Sequence, residues 1–299
     1  MTDLATLRAS SFFDPASHSR WISGLGRIAP LVWLVIVVLF IYAPIVILVG
    51  ASVDPGKLTA TKAFLQFPPK GFTWRWYFSI TPTMWQSVWL SVELAGAVSV
   101  GAVVIGVPAA WGLVKGGSLG RNLLSTLFRA PLQIPFIVTG VALLQAFNAF
   151  ADATGYRAQG SLLALFIGHL FVATPYVISA TGTALSQLSI RFDEAALSLG
   201  ASSWRVFIRV TLPLIVPAVF GGALFAFLVS FTDVTLALFL APPNGTTFPV
   251  WVFGSLTNDV EASLPALSCL VFLFSIGAMV LLQRLLGLET VLRAGASKG

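Results

Sequence analysis

Charge is what this chain has least of. Only 9% of its 299 residues are Asp, Glu, Lys or Arg, against roughly a quarter in a soluble globular domain. With 57% hydrophobic residues and a mean hydropathy of +0.91, the composition excludes a water-soluble fold. Cysteine is nearly absent too. The single Cys269 lies in an apolar run, which excludes a disulfide framework or a thiolate metal site and leaves a packing role. Two histidines, His18 and His169, are too few for a metal cluster. No G-x-x-x-x-G-K-[ST] occurs anywhere, so the chain has no loop of its own to cradle nucleotide phosphates. H-E-x-x-H and any nucleophile–base spacing are missing as well. A membrane-embedded enzyme using Glu93, Asp233 and His169 would therefore lack a tight constellation.

What is present is apolar length. A spanning helix needs about 20 mainly apolar residues, and six segments supply them: Ala29–Ala51, Trp85–Val114, Pro131–Phe150, Ser161–Leu185, Leu214–Leu240 and Leu264–Leu286. The first is too long for the apolar region of a signal peptide and lacks a small-residue cleavage pattern, so it reads as an uncleaved first span. An N-terminal segment 1–28 precedes it, and a tail 287–299 follows the last span.

Lys and Arg placement sets the orientation. With the N-terminus inside, twelve of the seventeen basic residues fall on the inner side, in four groups that include Lys115, Arg121, Arg129, Arg191, Arg205 and Arg209. The other five are Lys57, Lys62, Lys70, Arg75 and Arg157, four of them in one outer loop. The expectation is an all-α membrane protein, six spans, both termini cytoplasmic. The net charge of +6 then reflects cytoplasmic loops rather than nucleic acid. The outer loop closes on Trp74, Trp76, Tyr77 and Phe78, an aromatic density suited to the membrane–water interface.

One charged stretch breaks the apolar pattern: EAALSLGASSWRVFIRVTLP, Glu194 to Pro213, in the inner segment 186–213. Ile190–Leu199 reads as a short helix with Asp193 and Glu194 in its first turn, where carboxylates meet the helix dipole. Gly200 stands where a left-handed residue ends a helix, and Ser202 or Ser203 where a new one is capped. The second helix is expected to set Trp204, Phe207 and Ile208 on one face and Arg205 and Arg209 on another. Pro213 suits the first turn of the fifth span. By themselves these residues fit an amphipathic element lying on lipid or an aromatic knob ringed by arginine that docks a protein.

The spacing of Glu194-Ala195-Ala196, Gly200, Val210, Thr211 and Leu212-Pro213 resembles the EAA motif of binding-protein-dependent ABC importer permeases, with Val210 where that family prefers Ile. The resemblance implies a type I importer permease architecture in a bacterial inner membrane. It also implies that the loop is a coupling element: Glu194, Ala195, Ala196 and Gly200 shape it, while Trp204, Arg205, Phe207, Ile208, Leu212 and Pro213 meet a cytoplasmic ATPase dimer that binds ATP and Mg. No cofactor is expected on this chain. The further partners implied are a second, different permease, a periplasmic solute-binding protein and the bilayer.

Ionisable groups inside spans are functional candidates, since burying a charge in hydrocarbon costs several kcal/mol. Glu93, Asp233 and the adjacent Thr232 are the candidates for a substrate path, while His169 reads as a hydrogen-bonded packing residue. FPPKGFTWRWY and SFTDVTLALFLAP are similar to the permease branch that imports polyamines, with relatives for ferric iron, sulfate and phosphonates. A cationic amine is the favoured cargo, with Glu93 and Asp233 as counter-charges; an anion or a metal is the alternative. An ion-coupled secondary transporter would be expected to show inverted repeats, and the two halves show no internal similarity.

Overall fold

The computed structural model describes residues 15–56, 68–116, 121–243, 245–257 and 261–285. The tail 287–299, the first fourteen residues and Lys57 and Lys62 lie outside them. All regular structure among the described residues is helical. In chain order the elements are α1 (Pro15–Val53), α2 (Arg75–Phe78), α3 (Pro82–Lys115), α4 (Arg121–Arg129), a 3₁₀ turn (Ala130–Gln133), α5 (Phe136–Thr154), α6 (Leu162–Gln187), α7 (Ile190–Ser198), α8 (Ser203–Val206), a π turn (Phe207–Thr211), α9 (Leu212–Thr232), α10 (Thr235–Leu240), α11 (Phe248–Thr257) and α12 (Leu264–Leu285).

Five apolar stretches are long enough to cross a membrane: Pro30–Val53, Pro82–Lys115, Phe136–Thr154, Leu162–Gln187 and Ser203–Thr232. Helix α12, with 22 residues, supplies a sixth of about 33 Å at 1.5 Å per residue. Two expected boundaries need correction. The third span starts at Phe136, because Pro131 and Pro135 hold the preceding residues in a 3₁₀ turn and an extended step. The fifth does not run unbroken to Leu240. It stops at Thr232, and Asp233 is extended (φ −73°, ψ 130°) before α10 begins. The apolar run there is continuous in sequence, so hydropathy alone conceals the break.

The centre of the molecule is a three-helix core of α3, α6 and α9. In hydrocarbon the hydrophobic effect does not press helices together, so close approach of small residues and interhelical hydrogen bonds hold them. Both devices are present. Val177 of α6 sits between Gly106 of α3 and Gly222 of α9: a Cβ at Gly106 would lie 3.0 Å from the Val177 Cβ, and one at Gly222 only 2.9 Å from its Cα. The Ser99 hydroxyl on α3 donates to the Ala223 carbonyl on α9 at 2.7 Å. Farther out, Ser91 Oγ accepts the Phe248 N–H at 2.7 Å and fastens α11 to α3.

Helix α1 stays outside this core, touching mainly α12 and α2. Its most apolar stretch is unburied among the described residues, as a helix facing lipid or another membrane subunit must be. The aromatic group before α3 divides into two. Trp76 Nε1 donates to the Asp54 carbonyl at 2.7 Å and the Tyr77 hydroxyl pairs with Ser52 at 2.8 Å, which pins the end of α1. Phe72, Trp74 and Phe78 point outward, at the level suited to an interfacial belt.

Candidate functional site

The loop between α6 and α9 is built by end-caps. Ser189 caps α7, accepting from the Arg191 N–H at 3.4 Å. At the other end Gly200 is left-handed with φ +82°. Its N–H bonds the Leu197 carbonyl at 2.9 Å, and the Ala201 N–H reaches back to the Ala196 carbonyl at 3.2 Å. This pair of bonds is a Schellman closure, which satisfies carbonyls that the helix end would otherwise leave open. No heavy atom lies within 4 Å of a Cβ placed on Gly200. Glycine is required there by backbone conformation, not by crowding. Ser202 occupies the cap position of α8 with extended backbone but makes no side-chain cap bond.

Helix α8 runs through the π turn into α9 without a stop. Pro213 lacks the N–H that would bond the Arg209 carbonyl, and its ring crowds that carbonyl. The preceding turn widens, and the Leu212 N–H bonds the Phe207 carbonyl, five residues back. Ser203–Thr232 is thus one apolar rod whose first turns belong to the loop.

The faces of the loop differ from the sequence expectation in one respect. Phe207 is buried, its ring 4.9 Å from Trp111 of α3 and 5.7 Å from Trp204. It anchors the loop to the bundle instead of sharing an outward face with Trp204 and Ile208, because the wide turn and the indole of Trp111 give its ring an apolar seat. Trp204 is 65% and Leu199 90% exposed. Phe192, Leu197 and Ile208 are exposed too, as are Glu194, Ala195, Arg205, Arg209 and Pro213, while Ala196 and Leu212 are half-buried. The sequence reading overlooked Phe192 and Leu199, although Phe192, Ala195, Ala196 and Leu199 follow i, i+3, i+4, i+7 spacing, the mark of one helix face.

Two further groups were also overlooked. Lys115, the last residue of α3, sets its Nζ 2.6 Å from Asp193 Oδ2. The other carboxylate oxygen of Asp193 accepts from the Thr211 hydroxyl at 3.2 Å. A groove of about 440 Å³ opens beside this pair, bordered by Trp111, Glu194 and Leu197.

The two intramembrane carboxylates have different surroundings, and among the described residues they do not bond each other. Asp233 is buried, and its Oδ2 accepts the N–H groups of Leu236 at 2.8 Å and Ala237 at 3.2 Å. It is the cap that starts α10 after the break. His169, buried on α6, places Nδ1 2.9 Å from Ser230 Oγ and Nε2 3.7 Å from Asp233 Oδ2, a packing and hydrogen-bonding position. Thr232 is exposed and donates back to the Leu228 carbonyl. Glu93 is exposed on α3. Trp89 and Gln86, four and seven positions earlier, are exposed on the same helix face, and α3 carries no basic residue before Lys115.

The family model described as "Binding-protein-dependent transport system inner membrane component" matches residues 102–287. The chain is 34% identical over 246 residues to the putrescine transport system permease protein PotI of Escherichia coli K12, covering 80% of this chain and 85% of that protein. It is 28% identical over 250 residues to the spermidine/putrescine transport system permease protein PotC of Haemophilus influenzae, covering 83% and 92%. In fold it is similar to a chain in the crystal structure of a bacterial ABC transporter that imports the acidic polysaccharide alginate, with TM-score 0.67 and 18% identity over 92% of this chain and 99% of that one.

Proposed function

Since the chain belongs to the binding-protein-dependent transport system inner membrane components, as a multi-pass permease subunit of an ABC importer, we propose that its cargo is a polyamine of the putrescine type. ATP hydrolysis then takes place on separate cytoplasmic subunits that dock on the loop Glu194–Pro213. A second permease completes the path, and a periplasmic binding protein delivers the solute. The observation that carries this reading is the loop itself. Leu199 and Trp204 are large, apolar and exposed on an element held rigid by the Schellman closure, beside Arg205. Exposed tryptophan with neighbouring arginine is the usual composition of a binding hot spot.

The polyamine assignment rests on the named relatives and on α3. The Gln86–Trp89–Glu93 face offers a carboxylate for an ammonium group and an indole for cation–π contact. An exposed carboxylate inside a span has a use only where water, a partner subunit or a cation meets it.

Uptake of radiolabelled putrescine by the permease pair, its ATPase and its binding protein in proteoliposomes tests the assignment. ATP-dependent accumulation is expected. Transport of another solute with no accumulation of putrescine or spermidine would overturn the choice of cargo. Glu93→Gln should leave assembly intact and raise the KM for putrescine roughly tenfold, the equivalent of about 1.4 kcal/mol. An unchanged KM would remove Glu93 from the path. Trp204→Ala should weaken ATPase binding by about 2 kcal/mol, roughly 30-fold, with normal membrane insertion, as read by co-purification of the ATPase.

A further inference from the structure

The loop is joined through the backbone to α6, which ends at Gln187, and to α9, which begins at Leu212. Any push on the loop therefore reaches those two helices directly. Helix α3 has no such link. It is nevertheless the helix that carries Glu93, and it is continuous from Pro82 to Lys115. Helix α3 packs on α6 and α9 in the core, and a contact between its end and the loop would pass the push to it at the source rather than through that packing alone.

The structure shows two fastenings. One is the Trp111–Phe207 stack, with ring centres 4.9 Å apart. The other is the Lys115–Asp193 ion pair at 2.6 Å, whose side chains are only 24% and 20% exposed. Shielding of this degree lifts the attraction above that of a solvated surface pair, where screening and side-chain entropy leave little net gain. Thr211, itself buried, donates to the second oxygen of Asp193, so the carboxylate is fixed in direction as well as in place. Asp193 thus ties α3, the first turn of α7 and the entry to α9 together at one carboxylate.

We propose that the Lys115–Asp193 pair, oriented by Thr211, is the positioning contact that makes α3 move with the ATPase-facing loop. The proposal rests on the reading of that loop as the ATPase dock. Lys115 and Asp193 touch neither nucleotide nor solute; they act through α3.

The test uses the assembled transporter in proteoliposomes, with Cys269 replaced by Ala and one reporter cysteine at a time, Val104→Cys on α3 or Leu228→Cys on α9. The readout is the rate of reaction with a water-soluble maleimide, nucleotide-free against ATP plus vanadate. It needs no knowledge of the cargo. Both reporters should respond to vanadate trapping when the pair is intact. In Lys115→Gln and in Asp193→Asn the α9 reporter should keep its response and the α3 reporter should lose it. The exchanged pair, Lys115→Asp with Asp193→Lys, should restore the α3 response, which a merely destabilised fold would not do. An α3 response that survives in both single variants overturns the proposal. So does loss of both responses without rescue by the exchange, since the pair would then only hold the fold. If neither reporter responds with the pair intact, the docking reading of the loop falls, and this proposal with it.

Discussion

Replacing Gly222 by valine is expected to remove the folded permease from the membrane. The Cβ of any residue there would lie 2.9 Å from the Val177 Cα and 3.2 Å from the Ala180 Cβ. The first of these atoms is backbone, so no rotamer change relieves the contact. Helices α6 and α9 would have to separate, and Gly106 presses on the other side of the same Val177, which carries the strain into α3. Overpacking a well-packed core costs about 1–3 kcal/mol, and more is expected where backbone must move. Membrane helices gain their association from such close contacts, so little remains to offset the loss. Retention of full-length protein in detergent, measured by fluorescence-detected size exclusion, checks this. Gly221→Ala, at a position with nothing within 4 Å of an added Cβ, should behave as the parent chain does. A monodisperse, stable Gly222→Val protein would mean that α6 and α9 are not held by this contact.

Asp233→Ala is expected to have the second largest effect, with a different signature. The carboxylate satisfies two N–H groups at the start of α10. Deleting it leaves both in an apolar surrounding, and each unsatisfied buried donor costs about 1–3 kcal/mol. Helix α10 packs on α5 and α6, with Leu236, Ala237 and Leu240 buried, so its unwinding loosens one end of the bundle and leaves the loop Glu194–Pro213 untouched. Uptake should fall to background, while ATPase co-purification stays normal and limited proteolysis opens a new site near residues 233–247. Asp233→Asn keeps an acceptor oxygen and is itself a good cap, so it should restore protection at that site. Persistent cleavage in the Asn variant would show that the charge, not the hydrogen-bond geometry, holds α10.

How far the molecule was legible in advance depended on the physics behind each feature. The helical class, the membrane location and the Gly200 corner followed from composition, run length and one left-handed requirement, all of which are local. The loop's resemblance to the EAA motif was local as well, a fixed spacing within twenty residues. The break at Asp233 was not legible, because SFTDVTLALFLAP reads as unbroken apolar length whether or not the backbone turns extended in its middle. Phe207 was expected on the outward face beside Trp204, and only the ring of Trp111, distant in sequence, decided that it turns inward.

Residue type and short spacing were enough for a membrane-embedded helical bundle and for the loop corner at Gly200, because both are local properties. Only the tertiary structure decided which carboxylate is occupied and which is exposed, and that Lys115 meets Asp193. Glu93 and Asp233 look alike in a hydropathy profile. One faces outward because, among the described residues, nothing covers its side of α3. The other is enclosed because a helix must start beside it and its backbone donors need an acceptor. Such pairings join residues far apart in sequence, as Lys115 and Asp193 are, and they exist only when the helices that carry them have packed.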